Sequence, residues 1–238
     1  MGRIAFIIMR MNVMVVYYFL KIWSFAKKKV KDPEGIHSTL KAACKMVYKK
    51  GRITAIVEGE ENLPKEDGFM FYPNHQGLFD VLIFLENCPK SFAFIIKKEA
   101  GKIILLKQII EATGSLCMDR KDLKQSIGVI HEATEQVKKG RNFLIFAEGT
   151  RSKEGNKVGE LKGGSFKIAY NAKCPIVPCA LVDAYRPFDE KGLKPVTVKL
   201  RYLEPIPYDE YKDMKSNELA KEVKRRIEEA IAQMVDIT

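Results

Sequence analysis

Short, nearly uncharged apolar runs recur along this chain, and each is followed by a polar turn and then by a segment of helical periodicity. GFMFYPN (68–74), SFAFII (91–96), NFLIFA (142–147) and CPIVPCALVD (174–183) are of this kind. A run of four to eight apolar residues bounded by turn residues reads as a strand buried on both faces. Between the runs lie helical stretches: 78–88, 98–111, 121–139 and 163–172. In the third of these, Ile127, Ile130, Ala133 and Val137 fall on one side, and Gly140 stands just past the end as a C-cap. GRITAIVEGEENLP (51–64), GSLCMDR (114–120) and the alternating PVTVKLRYLEPIP (195–207) supply further strands, and 216–235 closes the chain as a charged amphipathic helix. Strand alternating with helix leaves few architectures open. The expectation is an α/β layered domain with a mixed, largely parallel sheet flanked by helices.

Two units are expected: an N-terminal pair of amphipathic, membrane-associating helices over residues 1–50, and one domain over 51–238 carrying the C-terminal helix. In the first segment the longest stretch without a formal charge, Met11 to Leu20, is ten residues, against the roughly 20 that a spanning helix needs. Arg3, Arg10 and Lys21 are spaced to share one helical face, so the segment reads as an apolar cylinder with a single basic stripe lying in a membrane interface. Tyr17, Tyr18 and Trp23 suit the headgroup level, and Lys27, Lys28, Lys29 and Lys31 suit an anionic cytoplasmic leaflet. A short span with Arg10 reaching back to the interface is the second option, and packing on the domain core the third.

The net charge of +11 points to a polyanionic partner without choosing among nucleic acid, anionic lipid, phosphorylated substrate and acidic carrier protein. Five cysteines without a C-x-x-C spacing argue for buried free thiols in a reducing compartment. G-x-x-x-x-G-K-[ST], G-x-G-x-x-G and G-x-S-x-G are all absent, so a P-loop, a dinucleotide fold and a serine-hydrolase elbow lack their signatures. No basic run is interleaved with stacking aromatics, which speaks against a nucleic-acid partner. Three scattered histidines give no metal-ligand pattern, and His37 and His131 read as ordinary helical residues.

Polar clusters stand at the strand ends, where open α/β sheets bind ligands. Asn74-His75 follows the first buried run, with Asp80 five residues on. A carboxylate bonded to one imidazole nitrogen fixes the tautomer and leaves the other free to take a proton. Glu148-Gly149-Thr150-Arg151 follows NFLIFA, offering backbone amides and a guanidinium to an anion. Asp119-Arg120 and Lys97-Lys98 end two further strands. A base and several basic sites beside a membrane-seeking segment point to hydroxyl chemistry on a phosphorylated, lipid-like substrate.

In that order and arrangement the clusters resemble the motifs of the glycerophospholipid acyltransferases. Asn74 to Asp80 matches N-H-x-x-x-x-D, GSLCMDR resembles G-x-x-F-I-D-R, Lys97 has the spacing of the lysine that opens that block, EGTR is the third motif, and Pro175 to Pro178 the fourth. The resemblance covers roughly residues 55–182 and is nearest to the 1-acyl-glycerol-3-phosphate subgroup. It implies His75 as general base oriented by Asp80, with Lys97, Arg120 and Arg151 on the substrate phosphate and Glu148, Gly149 and Thr150 shaping the acceptor site. It further implies transfer from an acyl-CoA or acyl carrier protein thioester to lysophosphatidic acid at the cytoplasmic membrane face, giving phosphatidic acid with no cofactor and no acyl-enzyme. Glycerol 3-phosphate or another lysophospholipid is the alternative acceptor, and a non-catalytic basic membrane or nucleic-acid binder the alternative class. Ile104 and Lys107 stand where the family often has Pro and Gly, and Cys117-Met118 replaces Phe-Ile. These changes touch packing positions and so bear on the acceptor headgroup more than on the chemistry.

Overall fold

The computed structural model describes residues 2–28 and 32–236. Lys29 and Lys31, placed at an anionic leaflet by the sequence, lie outside the described residues. Seven strands form one sheet: β1 (Ile53–Glu58), β2 (Met70–Pro73), β3 (Ala93–Lys97), β4 (Leu116–Met118), β5 (Phe143–Ile145), β6 (Ile176–Val182) and β7 (Val196–Tyr202), in the order β1-β7-β6-β2-β5-β3-β4. Every pairing is parallel except β6 with β7. The apolar runs are continuous because both faces of the sheet are covered. Along β2, Phe71 faces one core and Met70 and Tyr72 the other; along β6, Val177, Cys179 and Leu181 face the first, and Ile176, Ala180 and Val182 the second.

Helices α1 (Arg3–Met11), α2 (Val13–Lys28), α3 (Pro33–Gly51), α4 (Asp80–Asn87) and α5 (Leu106–Thr113) cover the first face. The second is covered by α6 (Leu123–Lys138), α7 (Lys167–Ala172), the single turn α9 (Tyr208–Tyr211) and α10 (Ser216–Asp236), while the single turn α8 (Arg186–Asp189) follows β6. The chain leaves β2 through α4 and passes β5 to reach β3. It leaves β5 through α7 on the opposite face and passes β2 to reach β6. The two connections diverge, so a crevice opens at the carboxyl ends of β2 and β5.

Two expectations need correction. The helix expected over 98–111 is broken: a 3-10 turn covers Lys98–Lys102, and α5 begins only at Leu106, after Leu105 at φ 73°. The side chain of Gln108 accepts the Leu105 N–H at 2.7 Å and caps the new start.

The N-terminal basic stripe does not exist as such. The segment is bent by 89° at Asn12, between α1 and α2, and no single helix among the described residues is long and apolar enough to span a membrane. Arg3 is buried: its guanidinium donates to the carbonyls of Gly51, at the end of α3, and of Lys194, before β7, at 2.7 and 2.8 Å. A cation at a helix C-terminus satisfies carbonyls that the helix itself leaves unpaired. Arg10 likewise reaches Lys50 O. Arg3 therefore fastens α1 to the domain instead of facing lipid, while Arg10 stays exposed beside the end of α3, and α3, grouped by sequence with the membrane segment, is a core helix through Ile36, Leu40, Cys44 and Tyr48. The outer surface left over is apolar: Ile4, Ile8, Met9, Val13, Val16, Leu20 and Trp23 are all exposed.

Replacing Arg3 by Ala removes both carbonyl contacts and leaves buried acceptors unpaired. The expected cost is about 1–3 kcal/mol of unfolding free energy, with faster amide exchange confined to α1. A urea titration with hydrogen-exchange mass spectrometry checks it, and unchanged exchange in α1 would show that Arg3 does not hold the helix.

Candidate active site

His75 stands two residues past β2, in the crevice between the ends of β5 and β6. Asp80 is the first residue of α4, so the motif spans a loop and not a helical turn. Its carboxylate is fully buried and gathers three donors: His75 Nδ1 at 2.8 Å, the Gln76 N–H at 2.6 Å and the Gly77 N–H, shared between both oxygens at 3.0 Å. Burial pushes the Asp80 carboxyl up, and the imidazole and the two backbone N–H groups pull it back. A carboxylate so placed at a helix start is an acceptor only, so His75 Nδ1 is the donor and Nε2 keeps its lone pair. The imidazole stacks on Phe146 with centroids 4.0 Å apart and planes 20° from parallel. Its side chain is 22% exposed, and Nε2 has no partner among the described residues. The ring is thus oriented on one edge, supported on one face and open at the nitrogen that can accept a proton.

The backbone that presents it is tied on both sides. On the β5 side, Glu148 accepts the His75 N–H at 2.7 Å and the Gly159 N–H at 2.9 Å, while Ser152 donates its N–H to His75 O at 2.8 Å. Glu148 is buried, which pushes its carboxyl up. It shapes the site by holding the histidine loop from behind. On the β6 side, Asn74 exchanges hydrogen bonds with both backbone groups of Leu181, and Gln76 donates to Leu181 O and accepts the Ala184 N–H. Gln76 also donates to Asn156, which clasps Asp183 through its backbone N–H and its carboxylate. At Gly77 a Cβ would lie 2.5 Å from Asp189 Oδ2 and 2.9 Å from Tyr185 Cα, so the loop needs a glycine to pass that corner.

The three cations named from sequence share the carboxyl edge of the sheet but not one point. Arg120 donates to the carbonyl of Gly149. Arg151 pairs with Asp189 at 3.4 Å and Lys97 with Glu99 at 3.4 Å, the first pair partly exposed and the second more open. The neighbouring Lys98 pairs with Asp119 at 3.2 Å, and the Lys121 N–H together with this ammonium holds the Asp119 carboxyl below its usual range. Thr150 is exposed on the turn. Gln76, Phe146, Asn156, Asp183 and Asp189 were not singled out from sequence. Gln76 and Phe146 lie within segments that were, whereas Asn156 sits in a polar loop whose composition signals only a turn.

A family model described as Acyltransferase matches residues 54–182. The chain is 31% identical over 128 residues to a 1-acyl-sn-glycerol-3-phosphate acyltransferase of Helicobacter pylori, a stretch covering 54% of each chain. It is 31% identical over 150 residues to a probable 1-acyl-sn-glycerol-3-phosphate acyltransferase of Mycoplasma pneumoniae, covering 61% of this chain and 55% of that one. The chain thus spans about half the length of these two curated relatives. The crystal structure of the 1-acyl-sn-glycerophosphate acyltransferase PlsC from Thermotoga maritima superposes with a TM-score of 0.72 over 94% of this chain and 95% of that one, at 24% identity, and shares the fold.

Glu148→Ala leaves two backbone N–H groups without acceptors and is expected to cost roughly 2–5 kcal/mol in urea unfolding. Glu148→Gln keeps one acceptor oxygen and loses less. Because the folded carboxyl binds its proton more tightly than the ordinary value of 4.5 allows, the folded state holds more protons than the unfolded one just above that pH, and stability falls as pH rises through the window. The wild type is therefore expected to lose stability relative to Glu148→Gln on going from about pH 4.5 toward neutrality. Parallel pH profiles for the two proteins would refute this.

Proposed function

This chain belongs to the acyltransferase family, and from that premise we propose that it transfers a fatty acyl group from a thioester to the free hydroxyl of 1-acyl-glycerol 3-phosphate, giving phosphatidic acid. The observation that carries the reading is the His75–Asp80 pair, buried at its carboxylate and open at Nε2. The names of the two bacterial relatives support the acceptor. Nε2 takes the hydroxyl proton as the alcohol oxygen attacks the thioester carbonyl. The tetrahedral intermediate collapses, the C–S bond breaks, and the imidazolium returns the proton to the departing thiolate. Asp80 stabilises the imidazolium between the two proton transfers. No side chain becomes acylated, and no cofactor is required. The donor is an acyl-CoA or an acyl carrier protein thioester; the surplus of positive charge suits either.

The lipid acceptor is met at a membrane surface. The exposed apolar row on α1 and α2, with Lys27 over the Trp23 ring at 4.8 Å, is the surface that lies against the cytoplasmic leaflet. Exposed Ile103, Ile104 and Leu105 precede α5, on which α2 packs, and extend the same contact.

Two experiments test this. Purified protein given acyl-CoA and lysophosphatidic acid is expected to release thiol, and His75→Ala to lower the rate on the order of 10²–10⁴-fold. An unchanged rate ends the base assignment, and faster turnover of glycerol 3-phosphate in competition moves the acceptor. In flotation with anionic phospholipid vesicles, the Leu20→Asp/Trp23→Asp double variant is expected to bind at least about 10-fold more weakly. Equal binding removes α2 from the interface.

A further inference from the structure

One cation at the crevice has no role in the reading above. Lys162 lies in the segment between β5 and α7, and its backbone N–H donates to Ala147 O at 3.0 Å, which fixes its position beside the 148–151 turn. Gly149, at φ 77°, has no side chain. A Cβ placed there would lie 3.0 Å from Arg120 Nη1 and 3.1 Å from Lys162 Nζ, so the guanidinium and the ammonium approach the same point over this glycine. Neither forms an ion pair with a carboxylate, although the charge of Glu99 is felt at Arg120. The hydrogen-bond partner of Arg120 is the Gly149 carbonyl, and the Lys162 ammonium has no hydrogen-bond or ion-pair partner among the described residues. Glu148, next in sequence, is turned inward onto the His75 and Gly159 N–H groups and neutralises neither. By contrast, Arg151 and Lys97 both have acidic partners. Two like charges held close together without an ion-paired carboxylate between them repel, and an anion between them removes the repulsion.

We propose that Lys162 is a further phosphate-positioning residue: together with Arg120, which the resemblance already places on the phosphate, it forms a two-cation seat over Gly149 that binds a phosphate group carried by one of the substrates. The bare Cα lets the phosphate oxygens approach both cations. The seat is one residue from the carboxylate that holds His75, so a phosphate bound there leaves the rest of its molecule beside the imidazole. Naming the phosphate as a substrate's rests on the acyltransferase reading; the seat itself does not.

The test uses the full chain and Lys162→Met, with Lys162→Arg as the conservative control; Lys162 is exposed, so neither substitution enters the core. Inorganic phosphate is titrated into each protein by NMR, and KM and kcat are measured with the acceptor and the donor varied separately. Lys162→Met is expected to weaken phosphate binding and raise the acceptor KM on the order of 10–100-fold, with kcat within about threefold, and Lys162→Arg to restore most of both. A raised donor KM with the acceptor KM unchanged keeps the seat and assigns it to the donor's phosphate. If the wild type turns over no thioester but binds phosphate in a Lys162-dependent way, the seat stands and the acyltransferase reading falls. Both KM values unchanged in Lys162→Met, with phosphate binding unchanged or absent throughout, overturn the proposal.

Discussion

A carboxylate with no exposed surface governs the rest of this molecule. Isolated, the Asp80 anion would be costly to bury. It is tolerated because two backbone N–H groups and an imidazole N–H converge on it at the start of α4. Those donors exist only if residues 75–77 follow one narrow path, and that path is enforced from the neighbouring strands: by Glu148 and Ser152 beyond β5, and by the Leu181 backbone of β6, to which Asn74 and Gln76 are bonded. The central position of β2 is therefore a requirement of the site. A histidine after an edge strand would have only one neighbour from which to be held, whereas here β5 supplies the acid side of the clamp and β6 the amide side.

The sheet was legible because its runs are unusually free of polar residues, which follows from helices on both faces. The His75–Asp80 pair was legible for a different reason: the spacing alone suits a capping histidine equally well, and it was the order of this and the other strand-end clusters, resembling the acyltransferase motifs, that singled the pair out. The failures have a common cause. Helical periodicity from 98 to 111 is real, but Leu105 at φ 73° interrupts it, and no local residue announces that break. Arg3 and Arg10 fit a basic stripe as long as the helix is considered alone. Their true partners, the carbonyls of Gly51, Lys194 and Lys50, are 40 to 191 residues away and invisible to periodicity. Lys162 belongs to the same class, since its approach to Gly149 depends on a backbone bond to Ala147.

Architecture and ligand contact are handled by different chemistry. Neutral amides tie the strand ends. Asn142, buried before β5, accepts the N–H groups of Gly68 and Phe69 and donates to Asp67 and to Ser91 O, as Asn74, Gln76 and Asn156 do around the crevice. An amide presents donor and acceptor at once, so it can replace a backbone peptide unit in a sheet margin without leaving a charge behind. The cations are kept at the rim, in water. The amide groups themselves do not titrate, and contacts this short are little screened by salt. The rim cations are screened by added salt. On the proposed reading, the framework around His75 stays assembled in salt that would empty the rim of a bound phosphate, so affinity for a phosphorylated ligand is expected to vary with ionic strength while the geometry of the imidazole does not.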